Sequence, residues 1–591
     1  MSLPTPTFGY PRPQLKRNQW KSLNGRWDFA PDVDLRWNHP DQVHWIEHII
    51  VPFSPETAAS GIGRTGYLTR CWYRTTLPTP NPRGGRILLH FGAVDYRAIV
   101  WLNGLVVGSH QGGYTPFSFD ITPFTAGRHK STTVVVCVDD DPHDLAKPRG
   151  KQDWQLEPHS IWYPRTTGIW QTVWLERVPP VWVGAVRWRA SLIDWDFRFE
   201  AALSGETRDG LRLRVVLTHG PRLVADDTYR VVGQELARSI ALPDPGIDDF
   251  RNEMLWSPDS PTLIDARLLL LDHANEVIDE VQSYTALREV SVSADRFLLN
   301  GRPYPLRLVL DQGYWPASGL TSPDDDALRR DVELTRAMGF NGVRKHQKIE
   351  DPRYLYWADR IGLLVWEEMP SAYRFTRESI ERVTTEWLEV LRRDHSHPCI
   401  VVWVPFNESW GVPNLPDNPA HRDYVRALYH LTRTIDPSRP VVGNDGWESV
   451  ATDVIGIHDY DSQPHRLANR YGSDEVLPAL FRHERPAGRL LVLDRQAQHT
   501  HTDQPIVLSE FGGIAYSTDD QWSWGYSRCQ TPEQLQQHYS DLLRAVNGLP
   551  VFCGFCYTQF ADTYQEANGL LYADRTPKFP LADIARATLG L

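Results

Sequence analysis

The chain changes character near residue 290, and that break limits its fold more than any single motif. Up to that point it reads as short alternating strands punctuated by Gly, Pro and Asn turns. Beyond it, apolar runs alternate with amphipathic helical patterns. Strands followed by strands predict sandwiches, whereas strands followed by helices predict a parallel sheet with its faces covered. Eight apolar runs stand out in the second part: 306–310, 340–346, 363–369, 400–408, 440–446, 454–460, 505–512 and 551–560. Helical stretches such as 325–338, 379–393, 421–435 and 532–547 separate several of them. Eight such units over about 300 residues predict a (β/α)8 TIM barrel across 289–591.

At 591 residues the chain is too long for one hydrophobic core. The first segment, 1–180, carries strands at Arg86–Phe91, 98–102, 133–138 and 170–175. Asn103-Gly104 is a strong hairpin signal within it. This pattern predicts a jelly-roll β-sandwich. The segment 181–288 contains the cleanly alternating run 211–217 and a further strand at 266–272, the pattern of a small immunoglobulin-like sandwich.

Composition excludes several function classes. A net charge of -12 with no basic block gives no electrostatic footprint for nucleic acid. No apolar stretch approaches a membrane span. The N-terminal residues show neither a charged nor an apolar leader region, so the cytoplasm is the default expectation. Six cysteines do not form a disulfide framework, and Cys553-Gly-Phe-Cys556 lies in a strand-like run that points its two thiols to opposite faces. His499 and His501 read as a solvated loop, with no metal ligands at a recognised spacing. The 23 Trp and 23 Tyr suit sugar stacking as well as core packing.

The barrel strands end in polar groups: Asp311; Arg344 with His346; Glu367-Glu368; Asn407-Glu408; Asn444-Asp445; His458 with Tyr460; Glu510; Tyr557 with Gln559. In such barrels the active site forms at the C-terminal ends of the strands. Two of these ends close conspicuous apolar runs, Trp403-Val-Pro-Phe-Asn407-Glu408 and Pro505-Ile-Val-Leu-Ser509-Glu510. Packing does not require a carboxylate there. Cleaving a glycosidic bond does require two: one protonated to aid the leaving oxygen, one ionised to meet the anomeric carbon. A neighbouring negative charge and partial burial favour the first state, and a cation such as Arg344 favours the second. The competing account is a pair of salt-bridged rim carboxylates.

The motifs resemble glycoside hydrolase family 2, the family of β-galactosidases, β-glucuronidases and β-mannosidases. The resemblance rests on Phe91-Gly-Ala-Val-Asp-Tyr-Arg through Asn103-Gly104, the segment 108–122, Leu255-Trp-Ser-Pro258, Phe297-Leu-Leu-Asn-Gly-Arg-Pro303 and Arg393-Asp-His-Ser-His-Pro398 before Asn407-Glu408. It implies Glu408 as general acid/base and Glu510 as nucleophile. Asn407 would contact the sugar 2-hydroxyl, Arg344 would sit near the nucleophile, and Tyr460 would hydrogen-bond it. His346, Asp311, Glu368, His458, Trp524 and Tyr557 complete the candidate substrate-binding set. His395 and His397 are expected to shape the loop before the fourth strand.

The chain departs from better-known members around the sugar. Where many carry an aspartate in the first domain, 160–165 reads Ser-Ile-Trp-Tyr-Pro-Arg. The usual Asn-Arg-His after the first strand is Leu310-Asp311-Gln312, and the tryptophan of the last strand corresponds to Tyr557. Asn568-Gly569-Leu570 replaces the Asn-x-Lys that grips a uronic carboxylate, leaving Lys345 or Lys348 as substitute cations. The expectation is therefore a retaining exo-glycosidase on a galactose-like pyranoside. An α-L-arabinofuranoside, a β-D-galactofuranoside or a glucuronide is the alternative substrate, and an inactive carbohydrate-binding protein is the alternative function. No cofactor or metal is expected. The expected partner is a carbohydrate, and a homo-oligomer is compatible with the sequence.

Overall fold

A computed structural model describes residues 8–125, 130–244, 246–473, 489–493, 504–518 and 524–591. Two antiparallel sheets open the chain. One has six strands in the order Glu47–Val51, Gly25–Pro31, Arg70–Pro78, Ser131–Asp139, Arg97–Leu102, Leu105–Gln111. The other has four: Trp20–Ser22, Val173–Val178, Arg86–Phe91, Phe117–Asp120. Alternate residues of both fill the space between them, among them Trp27, Phe29, Tyr73, Leu89, Val100 and Val136. The Asn103-Gly104 hairpin forms as its sequence predicts, both residues taking positive φ (49° and 82°).

A second sandwich pairs the three strands Val181–Ser191, Asp196–Gly205 and Glu235–Ala241 with four, Arg222–Arg230, Arg212–His219, Ile264–Leu271 and Val277–Thr285. The alternating run delivers Leu213, Val215 and Leu217 to its core beside Phe197, Leu268 and Val281.

The last part is a parallel sheet curled into a barrel, with helices outside. Its regular strands are β1 (Leu306–Asp311), β2 (Gly342–Lys345), β3 (Leu364–Glu368), β4 (Ile400–Val404), β5 (Ile455–His458), β6 (Ile506–Gly512) and β7 (Gly554–Thr558). Pairing runs β4-β3-β2-β1-β7-β6-β5, all parallel. These strands are covered on both faces, so their sequences read as continuous apolar runs.

Among the described residues, seven regular barrel strands form where the sequence suggests eight. The stretch 440–446, between β4 and β5, makes only single bridges to the chain at and beyond β4, Val441 with Trp403 and Asp445 with Asn407. Its two valines suit a strand, but Gly443-Asn444-Asp445-Gly446 follows, and these polar and glycine residues turn to serve the site. Among the described residues, no helix is long and apolar enough to cross a membrane.

Candidate active site

Arg344, at the end of β2, organises the barrel mouth and is fully buried. Its Nε donates to Glu368 Oε2 (2.8 Å), with Nη2 in an ion pair 2.7 Å from the same oxygen, and Nη2 donates to Asn407 Oδ1 (2.7 Å). Its Nη1 donates to the Ser509 carbonyl (3.0 Å) and to Glu510 Oε1 (2.9 Å), with Asp445 at 3.2 Å. A planar five-donor head suits this fan of acceptors better than an ammonium would. Three carboxylates hold the guanidinium charge firmly: burial opposes it, but Asp445, Glu368 and Glu510 outweigh burial and raise its pKa. In return, Glu368 falls to about 2 against the cost of burial, under the charges of Arg344 and His346.

Glu510 lies within β6. Its Oε2 accepts the Tyr460 hydroxyl proton (2.5 Å) and its Oε1 faces Arg344. Burial opposes ionisation, yet His458 and Arg344 together hold this carboxyl below the usual range. It is therefore an ionised group with its lone pairs anchored. Glu408 is held differently. It follows β4 in a turn where Glu408 and Ser409 both take left-handed φ (51° and 59°), a conformation unfavourable for side-chain-bearing residues. The 440–448 stretch pins this turn. Glu408 N donates to the Asp445 carbonyl (2.9 Å), Ser409 N to Asn444 Oδ1 (3.0 Å) and Ser409 Oγ to Glu448 Oε2 (2.6 Å).

His458 joins the two carboxylates. Its Nδ1 is 2.7 Å from Glu408 Oε1 and its Nε2 3.5 Å from Glu510 Oε1. Burial disfavours the imidazolium, but Glu510, Asp445 and Glu408 push its pKa up to about 10. One oxygen of Glu408 and one of Glu510 lie within 4.8 Å of each other.

The remaining predicted residues separate into those at this centre and those beside it. Asn407 is fully buried, and among the described residues its Nδ2 has no hydrogen-bond partner, so a donor remains available there. His346 bonds Glu368 and stands 3.9 Å from Glu510. Trp524 packs 5.1 Å from Tyr526, whose ring stacks on Tyr460 at 3.5 Å, giving one aromatic wall. Asp311 is taken up by Lys345 (2.6 Å) and accepts from the Gly313 amide (2.8 Å). Tyr557 points to the helix layer, 4.9 Å from Tyr539, because strand alternation turns Thr558 inward instead. Thr558 Oγ1 lies 3.2 Å from the Tyr460 hydroxyl.

The substitute cations are occupied. Lys345 is held by Asp311 and Glu350, and Lys348 by Glu350 and the carbonyls of Gly313 and Leu320. His397 bonds Asp359 at 2.6 Å, and its neighbour His395 faces Asp436. Asp359, His397 and Cys399 could group around a metal, but Tyr284 OH and Cys399 N already donate to Asp359. Cys553 and Cys556 are free thiols. His499 and His501 lie outside the described residues.

Sequence reasoning read Asp445 only as a strand end, and it did not single out Tyr526, which stacks on Tyr460, or Trp410, whose ring lies 6.3 Å from that of His346. Trp410 stands two residues past Glu408, which was a usable signal.

The description "Glycosyl hydrolases family 2, TIM barrel domain" matches residues 290–588, and "Glycosyl hydrolases family 2, sugar binding domain" matches 64–179. A β-galactosidase of Thermoanaerobacter pseudethanolicus is 27% identical over 63% of this chain, which spans about half (48%) of that relative's length. A β-glucuronidase of Felis catus is 26% identical over 85% of this chain and 79% of its own. Among solved structures, a Bifidobacterium dentium β-glucuronidase superposes with a TM-score of 0.76 at 20% identity, covering 98% of both chains. An Eisenbergiella tayi GH2 β-galacturonidase bound to galacturonate gives 0.75 at 20% identity, covering 98% of this chain and 99% of the other. With its barrel and first sandwich both matched, the chain belongs to glycoside hydrolase family 2.

Proposed function

We propose that the chain is a retaining, exo-acting glycoside hydrolase whose catalytic pair is Glu408 and Glu510. The supporting observation is the close approach of their carboxylates, within 4.8 Å oxygen to oxygen. A separation of roughly 5–5.5 Å suits direct attack, whereas inversion needs about 6.5–9.5 Å to admit water. Glu510, ionised and aligned by Arg344 and Tyr460, attacks the anomeric carbon while Glu408 gives its proton to the leaving oxygen. A glycosyl ester forms on Glu510. Glu408, now ionised, takes a proton from water, and that water releases the sugar with its configuration retained. Asn407 Nδ2 donates to the sugar, and His458 stabilises the charge that moves between the carboxylates. These steps need no cofactor. The chain is divided at 1–180, 181–288 and 289–591, and the barrel carries the chemistry.

A neutral, galactose-like glycone is the first reading of substrate. Leu570 is buried in the core where a lysine would grip a uronic acid, and Arg344, Lys345, Lys348 and Lys578 are all engaged by acidic groups or carbonyls. The β-glucuronidase likeness over 85% of the chain favours a glucuronide as the second reading. The test combines a screen of aryl galactosides, glucuronides, arabinofuranosides and galactofuranosides with Glu510→Ala. Loss of turnover, partly restored by azide with inverted product, is expected. Full activity of Glu510→Ala would remove the assignment.

A further inference from the structure

Among the described residues, the buried lysines and arginines have hydrogen-bond or ion-pair partners, Lys151 excepted. Lys151 is 5% exposed, yet among the described residues its amine makes no hydrogen bond and no ion pair. The amine sits over the face of Trp410, 5.1 Å from the ring centroid. Trp410 follows Glu408 by two residues and packs against Tyr373 and toward His346. An ammonium in such a place has three donors and only a π-face to meet them.

The position of Lys151 is built. Its loop belongs to the first sandwich but is tied to the barrel: Arg149 N donates to the Ser371 carbonyl (3.0 Å) and Tyr373 OH to the Gly150 carbonyl (2.8 Å). On the other side of the mouth, Gln565 Nε2 donates to the carbonyls of Ser160 (2.8 Å) and Trp162 (2.7 Å). The next residue is Glu566, 3% exposed. Its Oε2 accepts from the side-chain amides of Gln559 at 2.9 Å and Asn568 at 3.4 Å. Among the described residues no cation hydrogen-bonds it. Burial raises its carboxyl pKa, the charge of Lys151 draws it back down, and Glu510 adds to the rise. Glu566 therefore feels both Lys151 and the catalytic centre, while remaining farther from Lys151 than the 4.0 Å of an ion pair.

We propose that Lys151, reaching across from the first domain, and Glu566 together form a glycone-reading site for a neutral, hydroxyl-bearing sugar. The inference rests on the retaining-glycosidase reading and specifies its substrate class. Lys151 can only donate, and the Glu566 carboxyl offers acceptor oxygens in either protonation state. A hydroxyl both donates and accepts, so a sugar diol can bridge the two without leaving either group unpaired. A uronate carboxylate can satisfy Lys151 but has no proton to donate to Glu566.

The test uses the full-length protein with its best neutral aryl glycoside, the matched aryl uronide, and a neutral iminosugar whose binding is read by tryptophan fluorescence. Lys151→Met is expected to raise KM for the neutral glycoside at least tenfold with a smaller change in kcat. Lys151→Arg, which keeps a donor and the packing, is expected to stay within about threefold of the wild type. Glu566→Gln is expected to weaken neutral-sugar binding without creating uronide turnover. An unchanged KM in Lys151→Met overturns the inference. So does a wild-type preference for the uronide that Lys151→Met abolishes, which would make Lys151 a carboxylate reader. If the wild type hydrolyses no glycoside, the proposed function fails and iminosugar binding decides this inference alone. Tenfold weaker binding by Lys151→Met supports it; equal binding, or none by the wild type, refutes it.

Discussion

Replacing Arg344 by lysine keeps one positive charge and removes the fork. The arginine makes four hydrogen bonds from three nitrogens, to Glu368, Asn407, Ser509 and Glu510. A lysine offers three protons from one atom, so at least one charge-assisted bond is lost. At about 1.5–3 kcal/mol, that is the minimum cost of the change. Because these bonds orient Glu510 and Asn407, the cost falls largely on the transition state. It corresponds to a drop of at least about 10–150-fold in kcat/KM at 1.36 kcal/mol per tenfold. The assay is steady-state hydrolysis of the best aryl glycoside, with a thermal melt on the same sample. Arg344→Lys within fivefold of wild-type kcat/KM and with an unshifted melt would show that the charge alone matters and the fork does not.

Glu408→Ala should slow substrates with poor leaving groups by about 10²–10⁴-fold while sparing the first step for a dinitrophenyl glycoside. Burst kinetics across leaving groups would show this split. Tyr460→Phe removes a hydrogen bond to the charged Glu510, so kcat should fall about 10–150-fold, measurable with the same substrate. His458 has a folded pKa raised to about 10, so its contribution to stability is fully present below about pH 6.5 and is lost as pH rises through 10. Melts from pH 6 to 10 should therefore decline more steeply in the wild type than in His458→Gln, and equal slopes would remove the linkage.

The sequence made much of this site legible because barrel strands end where chemistry begins. Glu408 and Glu510 were visible as charges terminating apolar runs, and Arg344, His458 and Tyr460 were found at the ends of neighbouring strands. Periodicity fails at two places for physical reasons. The stretch 440–446 looks like a strand by its valines, but its polar residues spend their hydrogen-bonding capacity on the turn at Glu408 and on Arg344 rather than on a ladder. Tyr557 occupies the expected strand end, yet register decides which of two adjacent residues faces inward, and a one-residue difference exchanges tyrosine for threonine. The pair proposed above, Lys151 and Glu566, was invisible for a third reason. They are 415 positions apart, and neither carries a local mark of the other.

The two carboxylates proposed as the catalytic pair are mounted on unequal supports. Glu510 lies within a barrel strand, paired with His458 of β5, and its flanking residues Leu508 and Phe511 pair with β7 around a bulge, so the barrel ladder holds its place. Glu408 hangs from a left-handed turn braced by Asn444, Asp445 and Glu448. The distance between acid and nucleophile is thus an adjustable quantity, set from one side only. Substitutions at Asn444 or Glu448 would act as a gauge on that gap, widening it without disturbing Glu510. A gap wide enough for water would change the stereochemical course of the reaction, so a residue that never meets the sugar would decide the handedness of its product.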